Sequence, residues 1–194
     1  MKAKYISNAE GEILWARSYS YSSSRDLICE TQYGNLSGSC KRKIEIGPDG
    51  LPIENGIEMY RTFYQYEGNK IAEVLEDNGK RILYRYLPDS QKISAKMTLD
   101  KNQISRREFY IYDASGNIIK IYCDNGLSEN IHDFTGVTDR QIQSFTYHNN
   151  LLCIVEELEW DGFSKKKFQK ENHQPLRSSR PNYTTRHLYK GPIG

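Results

Sequence analysis

The sequence predicts an all-β chain of stacked antiparallel β-hairpins followed by a basic tail, and three observations predict it. Aromatic and β-branched residues recur at every second position in short runs, which suits a pleated, half-buried surface. Turn chemistry (Asp, Asn, Gly and Pro) punctuates those runs throughout the first 163 residues. Tyrosine is unusually frequent, 15 against 6 Phe and 2 Trp, in a chain only 37% hydrophobic. A tyrosine buries its ring and keeps its hydroxyl near water, so this composition fits a thin sheet better than a thick dry core.

From the N-terminus, Tyr5 with Asn8-Ala9-Glu10-Gly11 reads as an incomplete hairpin. Ser18-Tyr19-Ser20-Tyr21 reads as an outgoing arm and Leu27-Ile28-Cys29-Glu30-Thr31 as its return. Pro48-Asp49-Gly50 and Asn55-Gly56 are turn signals that bracket Leu51–Glu54. Then comes a repeated pattern: aromatic, any residue, Tyr, turn, Ile-containing arm, second turn. One copy runs from Phe63-Tyr64-Gln65-Tyr66 through Glu67–Lys70 to Ile71–Leu75, closed by Asp77-Asn78-Gly79. The next runs from Leu83-Tyr84-Arg85-Tyr86 through Pro88-Asp89-Ser90-Gln91-Lys92 to Ile93–Leu99, closed by Asp100-Lys101-Asn102.

The clearest copy is Arg107–Tyr122, closed by Asp124-Asn125-Gly126. Its turn, Asp113-Ala114-Ser115-Gly116, places Asp where a type I turn wants a carboxylate and Gly where the chain turns left-handed. Tyr110 and Tyr112 share one strand face, Phe109 and Ile111 the other. Tyr66, Tyr86 and Tyr112 start equivalent turns and are expected to stack between hairpins, with Gly116 and Gly126 permitting turns. Asp124 is expected to be a turn residue. A hairpin of this length cannot bury its own face and must stack on neighbours. Leu127–Arg140 lacks alternation and reads as an insertion loop. Phe145-Thr146-Tyr147 with Leu151–Val155 forms a late copy, and Val155–Trp160 fits either strand or a helical turn.

Charge divides the chain at Ser164. Beyond it lie Lys165, Lys166, Lys167, Lys170, Arg177, Arg180, Arg186 and Lys190 against a single acid, Glu171, giving +7 over 164–194 and −5 over 1–163. Gln169–Gly194 is polar and interrupted by Pro175, Pro181 and Pro192, so disorder is expected there. The Lys165–Lys170 run, with Tyr183 and Tyr189, is a candidate for nucleic acid or anionic lipid.

Catalytic chemistry finds little support. His132, His148, His173 and His187 fall in or beside loops and the tail, with no nucleophile elbow, and a hydrolase needs nucleophile, base and orienting group together. Glu156-Glu157-Leu158-Glu159 with Asp161 reads as a solvated acidic arm rather than a catalytic carboxylate pair. Cys29, Cys40, Cys123 and Cys153 lack metal spacing and read as partly buried thiols, with a disulfide open to them in an oxidising compartment. No metal and no cofactor is therefore expected. No apolar run approaches the ~20 residues of a membrane helix, and Met1–Asn8 lacks the apolar stretch of a secretory signal, so the expectation is a soluble chain.

The hairpins resemble the YD repeats of the RHS family. Phe109-Tyr110-Ile111-Tyr112-Asp113-Ala114-Ser115-Gly116-Asn117-Ile118 matches the family pattern of Tyr-Asp, two spacers, Gly, polar and apolar residue. The earlier copies depart from it, with Tyr66-Glu67 and a shorter turn in one and Tyr86-Leu87-Pro88-Asp89 without glycine in the other. The resemblance covers roughly Tyr19 to Val155. It implies a non-enzymatic strip of hairpins, part of a shell for a secreted, toxin-like bacterial polypeptide, located outside the cell or on its surface. No Asp-Pro dipeptide is present, so the self-cleavage of some members does not carry over. On this reading Tyr66, Asp77, Gly79, Tyr86, Asp89, Tyr110, Tyr112, Asp113, Gly116, Asp124 and Gly126 are structural repeat residues. The partners are neighbouring repeats, or other copies of the chain joined through unpaired strand edges. A second reading is a glycan-binding or adhesive module, with Tyr64, Tyr84 and Tyr110 facing carbohydrate.

Overall fold

The computed structural model describes residues 2–34, 43–54, 57–149, 151–160 and 165–171. Among them the regular structure is all strand: β1 (Ala3–Ser7), β2 (Ile13–Tyr21), β3 (Leu27–Tyr33), β4 (Met59–Glu67), β5 (Lys70–Glu76), β6 (Arg81–Tyr86), β7 (Ile93–Asp100), β8 (Gln103–Tyr112), β9 (Ile118–Asp124), β10 (Arg140–His148), β11 (Leu151–Trp160) and β12 (Lys165–Glu171). The chain divides into two units, Met1–Leu83 and Tyr84–Gly194. Within each, every strand pairs antiparallel with its neighbour in sequence, so the topology is a meander.

Six hairpins share one local device. At or one residue before the end of the outgoing strand, a residue lies opposite an aliphatic one in the first or second position of the return: Ser7 opposite Ile13, Tyr21 opposite Leu27, Tyr66 opposite Ile71, Leu99 opposite Ile104, Tyr112 opposite Ile118 and Tyr147 opposite Leu152. One step further the register shifts, leaving Leu14, Ile28, Ala72, Ser105, Ile119 and Cys153 as extra residues on the returning strands. A bulge of this kind bends the strand and increases its right-handed twist.

The turns explain where these bulges arise. In three of them one polar side chain holds the loop, and the residue types differ: Asn8, Ser22 and Asp113. Each accepts a hydrogen bond through its side chain from the N–H four residues on, at 2.8, 3.0 and 2.8 Å. Each also accepts through its carbonyl from the residue three on, and that residue is left-handed: Gly11 (φ 77°), Arg25 (φ 70°) and Gly116 (φ 85°). Asp, Asn and Ser are interchangeable here because each offers one short-tethered oxygen. Backbone donation from Asn117 holds the Asp113 carboxyl below the usual range. Two other hairpins use two-residue turns: Gly68-Asn69, with Gly68 at φ 63°, and Lys101-Asn102, at φ 48° and 65°.

A long connection covers part of one sheet face in each unit. In the first unit, Ile44 and Ile57 pack with Ala16 and Tyr33, and Ile13 and Met59 flank them. Ile44 bridges Ile13, and Ile46 bridges Pro52 around the Gly47–Gly50 turn, where Gly50 has φ 79°. Asn55-Gly56 lies outside the described residues. In the second unit the buried face carries Ala95, Met97, Leu99, Arg107 and Phe109, capped at one end by the loop from Asn125 to Asp139.

Two sequence readings are altered. Val155–Trp160, open between strand and helical turn, belongs to β11. The strand system also continues past Phe163, because β12 pairs residue by residue with β11. The register sets Lys166 opposite Glu159, with Gln169 opposite Glu156 and Phe168 opposite Glu157. Residues 172–194, where disorder and most of the nucleic-acid candidate fall, lie outside the described residues.

Candidate functional site

Asp124 was expected at a turn, and the structure corrects this. It ends β9 as the centre of a buried ionic cluster, directly opposite Arg107 on β8 and Arg140 on β10. Arg107 is 0% exposed, Asp124 4% and Arg140 8%. Arg107 donates from Nε to Asp124 Oδ1, and Arg140 donates from Nε and Nη2 to Oδ2 at 2.8 and 2.5 Å. Arg107 spends its other donors on the loop, with Nη1 reaching the carbonyls of Ser128 (2.6 Å) and Asn130 (2.9 Å) and Nη2 that of Asp133 (2.6 Å). A weak contact from Nη2 to Asp124 Oδ2, at 3.5 Å, uses its fifth N–H. Arg140 adds the carbonyl of Ile131 at 3.3 Å and stands over the Phe134 ring, 4.3 Å from its centroid.

Two guanidiniums share one carboxylate, so the cluster keeps a net positive charge inside the protein. The four loop carbonyls oppose that charge and are the reason the loop is held in place. Burial alone raises the Asp124 pKa, but donation from Arg107, the Gly126 N–H (2.9 Å) and Arg140 outweighs it and holds the carboxyl below its ordinary range.

Gly126 is corrected too. It is not among the left-handed glycines. A side chain there would collide with the Arg107 guanidinium, with a Cβ inside contact distance of Nη2 and Cζ and 2.6 Å from Nε. Glycine is required for close approach, not for turning.

Two of the three tyrosines expected to start equivalent turns, Tyr66 and Tyr112, reach the preceding hairpin through their hydroxyls. Tyr66 donates to the carbonyl of Leu27 (3.0 Å) and Tyr112 to that of Ile93 (2.8 Å), and Tyr147, outside the predicted set, donates to that of Ile118 (3.0 Å). Each acceptor opens a returning strand, beside its turn. Burial raises the pKa of Tyr66, Tyr86 and Tyr112. Asp77 accepts from the N–H of Arg61 at 2.6 Å. Gly79 (φ 84°) and Asp89 (φ 51°) occupy left-handed turn positions. Tyr64 on β4 and Tyr84 on β6 are half-buried.

Tyr110 opens onto a different feature. On the face of β8–β10 away from Arg107, strand pairing lays out two rows, Glu108–Cys123–Gln141 and Tyr110–Ile121–Gln143. Together with Arg106 they line a shallow concavity of about 140 Å³. Its floor is the two short side chains of β9, and its walls are the longer ones of β8 and β10. Tyr110 donates its hydroxyl to Glu108 at 2.7 Å, and Lys96 donates to the other oxygen at 3.1 Å. Burial raises the Glu108 pKa, but these donors and Arg106 outweigh it and keep the group ionised. Burial and the Glu108 contact together raise Tyr110 strongly. Gln143 donates to Glu157 at 3.0 Å, whereas the Gln141 amide has no hydrogen-bond partner among the described residues.

His132 lies in the Asn125–Asp139 loop and His148 ends β10, so these two residues are not brought to a shared site. Among the described residues no three His, Cys, Asp or Glu side chains group as metal ligands. No helix is long and apolar enough to cross a membrane.

No family model matches the chain, and no curated protein does. A solved structure, a porin-like protein from Bacteroides uniformis, is similar at a TM-score of 0.40 and 11% identity over 87% of this chain and 58% of that one. The chain thus spans just over half the length of that structure.

Proposed function

We propose that the chain is a non-enzymatic segment of a YD-repeat-like scaffold, part of a shell for a secreted, toxin-like polypeptide. One observation carries this reading. Tyr66, Tyr112 and Tyr147, each within one residue of a strand end, donate to the carbonyl that opens the return strand of the hairpin before. The β8–β9 hairpin both offers this contact, through Tyr112, and receives it, through Ile118, and a structure made of such parts extends by repetition. The buried charged side chains Arg107, Asp124 and Arg140 are bonded to one another and to the loop that follows β9. Unpaired edges make neighbouring hairpins the natural partners.

An antibody against this chain, used on fractionated native cells, tests the proposal. The expected band is a polypeptide much larger than 22.6 kDa in the extracellular or surface fraction, with further hairpin repeats when sequenced by mass spectrometry. A band at the chain's own mass, confined to the cell interior, overturns it.

A further inference from the structure

We propose that Asn78 is a self-modifying residue, which loses its amide to water through a succinimide closed by the Gly79 nitrogen, and that the fold directs this reaction to Asn78 while shielding Asn125. This goes beyond the scaffold reading and does not depend on it. The chain carries the tripeptide Asp-Asn-Gly twice, as Asp77-Asn78-Gly79 and Asp124-Asn125-Gly126. Glycine after asparagine leaves the attacking nitrogen without a neighbouring side chain, so both copies are chemically competent and local sequence does not separate them. Their surroundings do. Asp77, Asn78 and Gly79 are all exposed, whereas Asn125 is half-buried and Gly126 buried. Around Gly79 a side chain would meet nothing within 4 Å, which leaves room for water beside the reacting bond. Around Gly126 the same space is filled by the Arg107 guanidinium.

The two side chains are also aimed differently. Asn78 Oδ1 accepts from the N–H of Lys80, two residues on, at 2.9 Å. That contact folds the side chain back over its own peptide bond, with Cγ toward the Gly79 nitrogen. The Lys80 N–H is then placed to hold the oxyanion that develops as the nitrogen adds to Cγ. Asn125 Oδ1 instead accepts from the N–H of Thr138 at 3.0 Å, and its Nδ2 donates to Thr138 Oγ1 at 2.6 Å, so its Cγ is drawn toward the far end of the loop. The Gly126 N–H is held by the Asp124 carboxylate at 2.9 Å, the Gly79 N–H only by the Glu76 carbonyl, also at 2.9 Å. In the reaction the bond from Gly79 N to Asn78 Cγ forms, the Cγ–Nδ2 bond breaks, and the Gly79 proton leaves with the amide as ammonia. Water then opens the ring at either carbonyl, giving aspartate or isoaspartate. The new carboxylate stands where Nδ2 donated to Glu76 at 3.1 Å, so an attraction at the β5–β6 turn becomes a repulsion between like charges.

Incubating the full chain in mildly alkaline buffer made with heavy-oxygen water, with and without urea, and following both tripeptides by peptide mass spectrometry tests this. Each hydrolysis leaves a heavy oxygen in the product. In the folded chain, label is expected at Asn78 at least about tenfold faster than at Asn125, the worth of freeing one charge-assisted hydrogen bond. In urea the two rates are expected to converge, because only the shared tripeptide then acts. Equal rates in the folded chain, or a faster rate at Asn125, overturn the proposal. So does a preference that urea leaves unchanged, or a folded chain whose Asn78 stays unlabelled over the time in which the unfolded chain is labelled.

Discussion

Replacing Asp124 by Asn tests the buried cluster most directly, because size and shape are kept and only the charge is lost. The two guanidiniums that flank it, fully buried on Arg107 and nearly so on Arg140, then face each other without an anion. Breaking a buried ion pair from one side costs about 3–5 kcal/mol. Four loop carbonyls remain on the guanidiniums, which argues for the lower end, about 3 kcal/mol. With a urea m-value of about 2 kcal/mol/M, the unfolding midpoint falls by about 1.5 M. Asp113→Asn is the control. Asn8 already performs the same task in the equivalent turn, so that substitution is expected to change stability by less than about 0.5 kcal/mol.

The pH dependence adds a signed test. The Asp124 carboxyl is held below its ordinary value in the folded chain, so the unfolded chain binds its proton first as pH falls. Its contribution is complete above the unfolded value of about 3.9 and fades as pH drops through the lower folded one. The stability gap between wild type and Asp124→Asn should therefore be widest near neutrality and shrink below about pH 4. Equal midpoints for Asp124→Asn and Asp113→Asn at pH 7, or a gap that widens in acid, refute the reasoning.

Four further substitutions follow from particular contacts. Gly126→Ala places a Cβ on a guanidinium held by its loop carbonyls and Asp124, and should cost about 2–3 kcal/mol by urea unfolding, as overpacking does; an unchanged midpoint would mean that Arg107 can move. Arg25→Gly should raise the melting temperature by about 1–3 °C, because Arg25 occupies with φ 70° the position that Gly11 and Gly116 fill. Its mirror, Gly116→Val at φ 85°, should lose about 1–3 kcal/mol, and stability equal to wild type would sink the turn geometry. Tyr147→Phe removes the donor to Ile118 and should cost about 0.5–1.5 kcal/mol, with faster amide exchange concentrated around the Asp113–Asn117 turn.

The hairpins were legible in the sequence because strand alternation and turn chemistry are local. Asp113 and Gly116 lie three residues apart and specify their turn unaided. The same locality explains why the Tyr-x-Tyr arms could be aligned before any strand pairing was known. The ionic cluster was not legible, because Arg107, Asp124 and Arg140 meet only once three strands are in register. A signal was nonetheless present. Arg107 shares strand parity with Phe109 and Ile111, so alternation placed a charge on the apolar face, and a buried charge requires a partner. Gly126 carried a misleading signal: Asp-Asn-Gly is a turn signature, and nothing local says that a guanidinium from 19 positions earlier occupies the space. The Arg25 turn went unread because the usual glycine is replaced by a residue that tolerates the conformation only at a cost.

The tyrosine-to-carbonyl contacts also bear on how such a chain changes over evolutionary time. Each contact links a strand end to the turn of the hairpin before and takes no account of what lies further along. A deletion or duplication that begins and ends at equivalent tyrosines leaves every remaining hydroxyl with an acceptor of the same kind. Length can therefore change in whole steps without redesign of the remainder, whereas a cut inside a hairpin strands a donor and shifts the register of all that follows. Variation among descendants of this sequence is expected to be quantised, with breakpoints clustered just after Tyr66, Tyr112 and Tyr147.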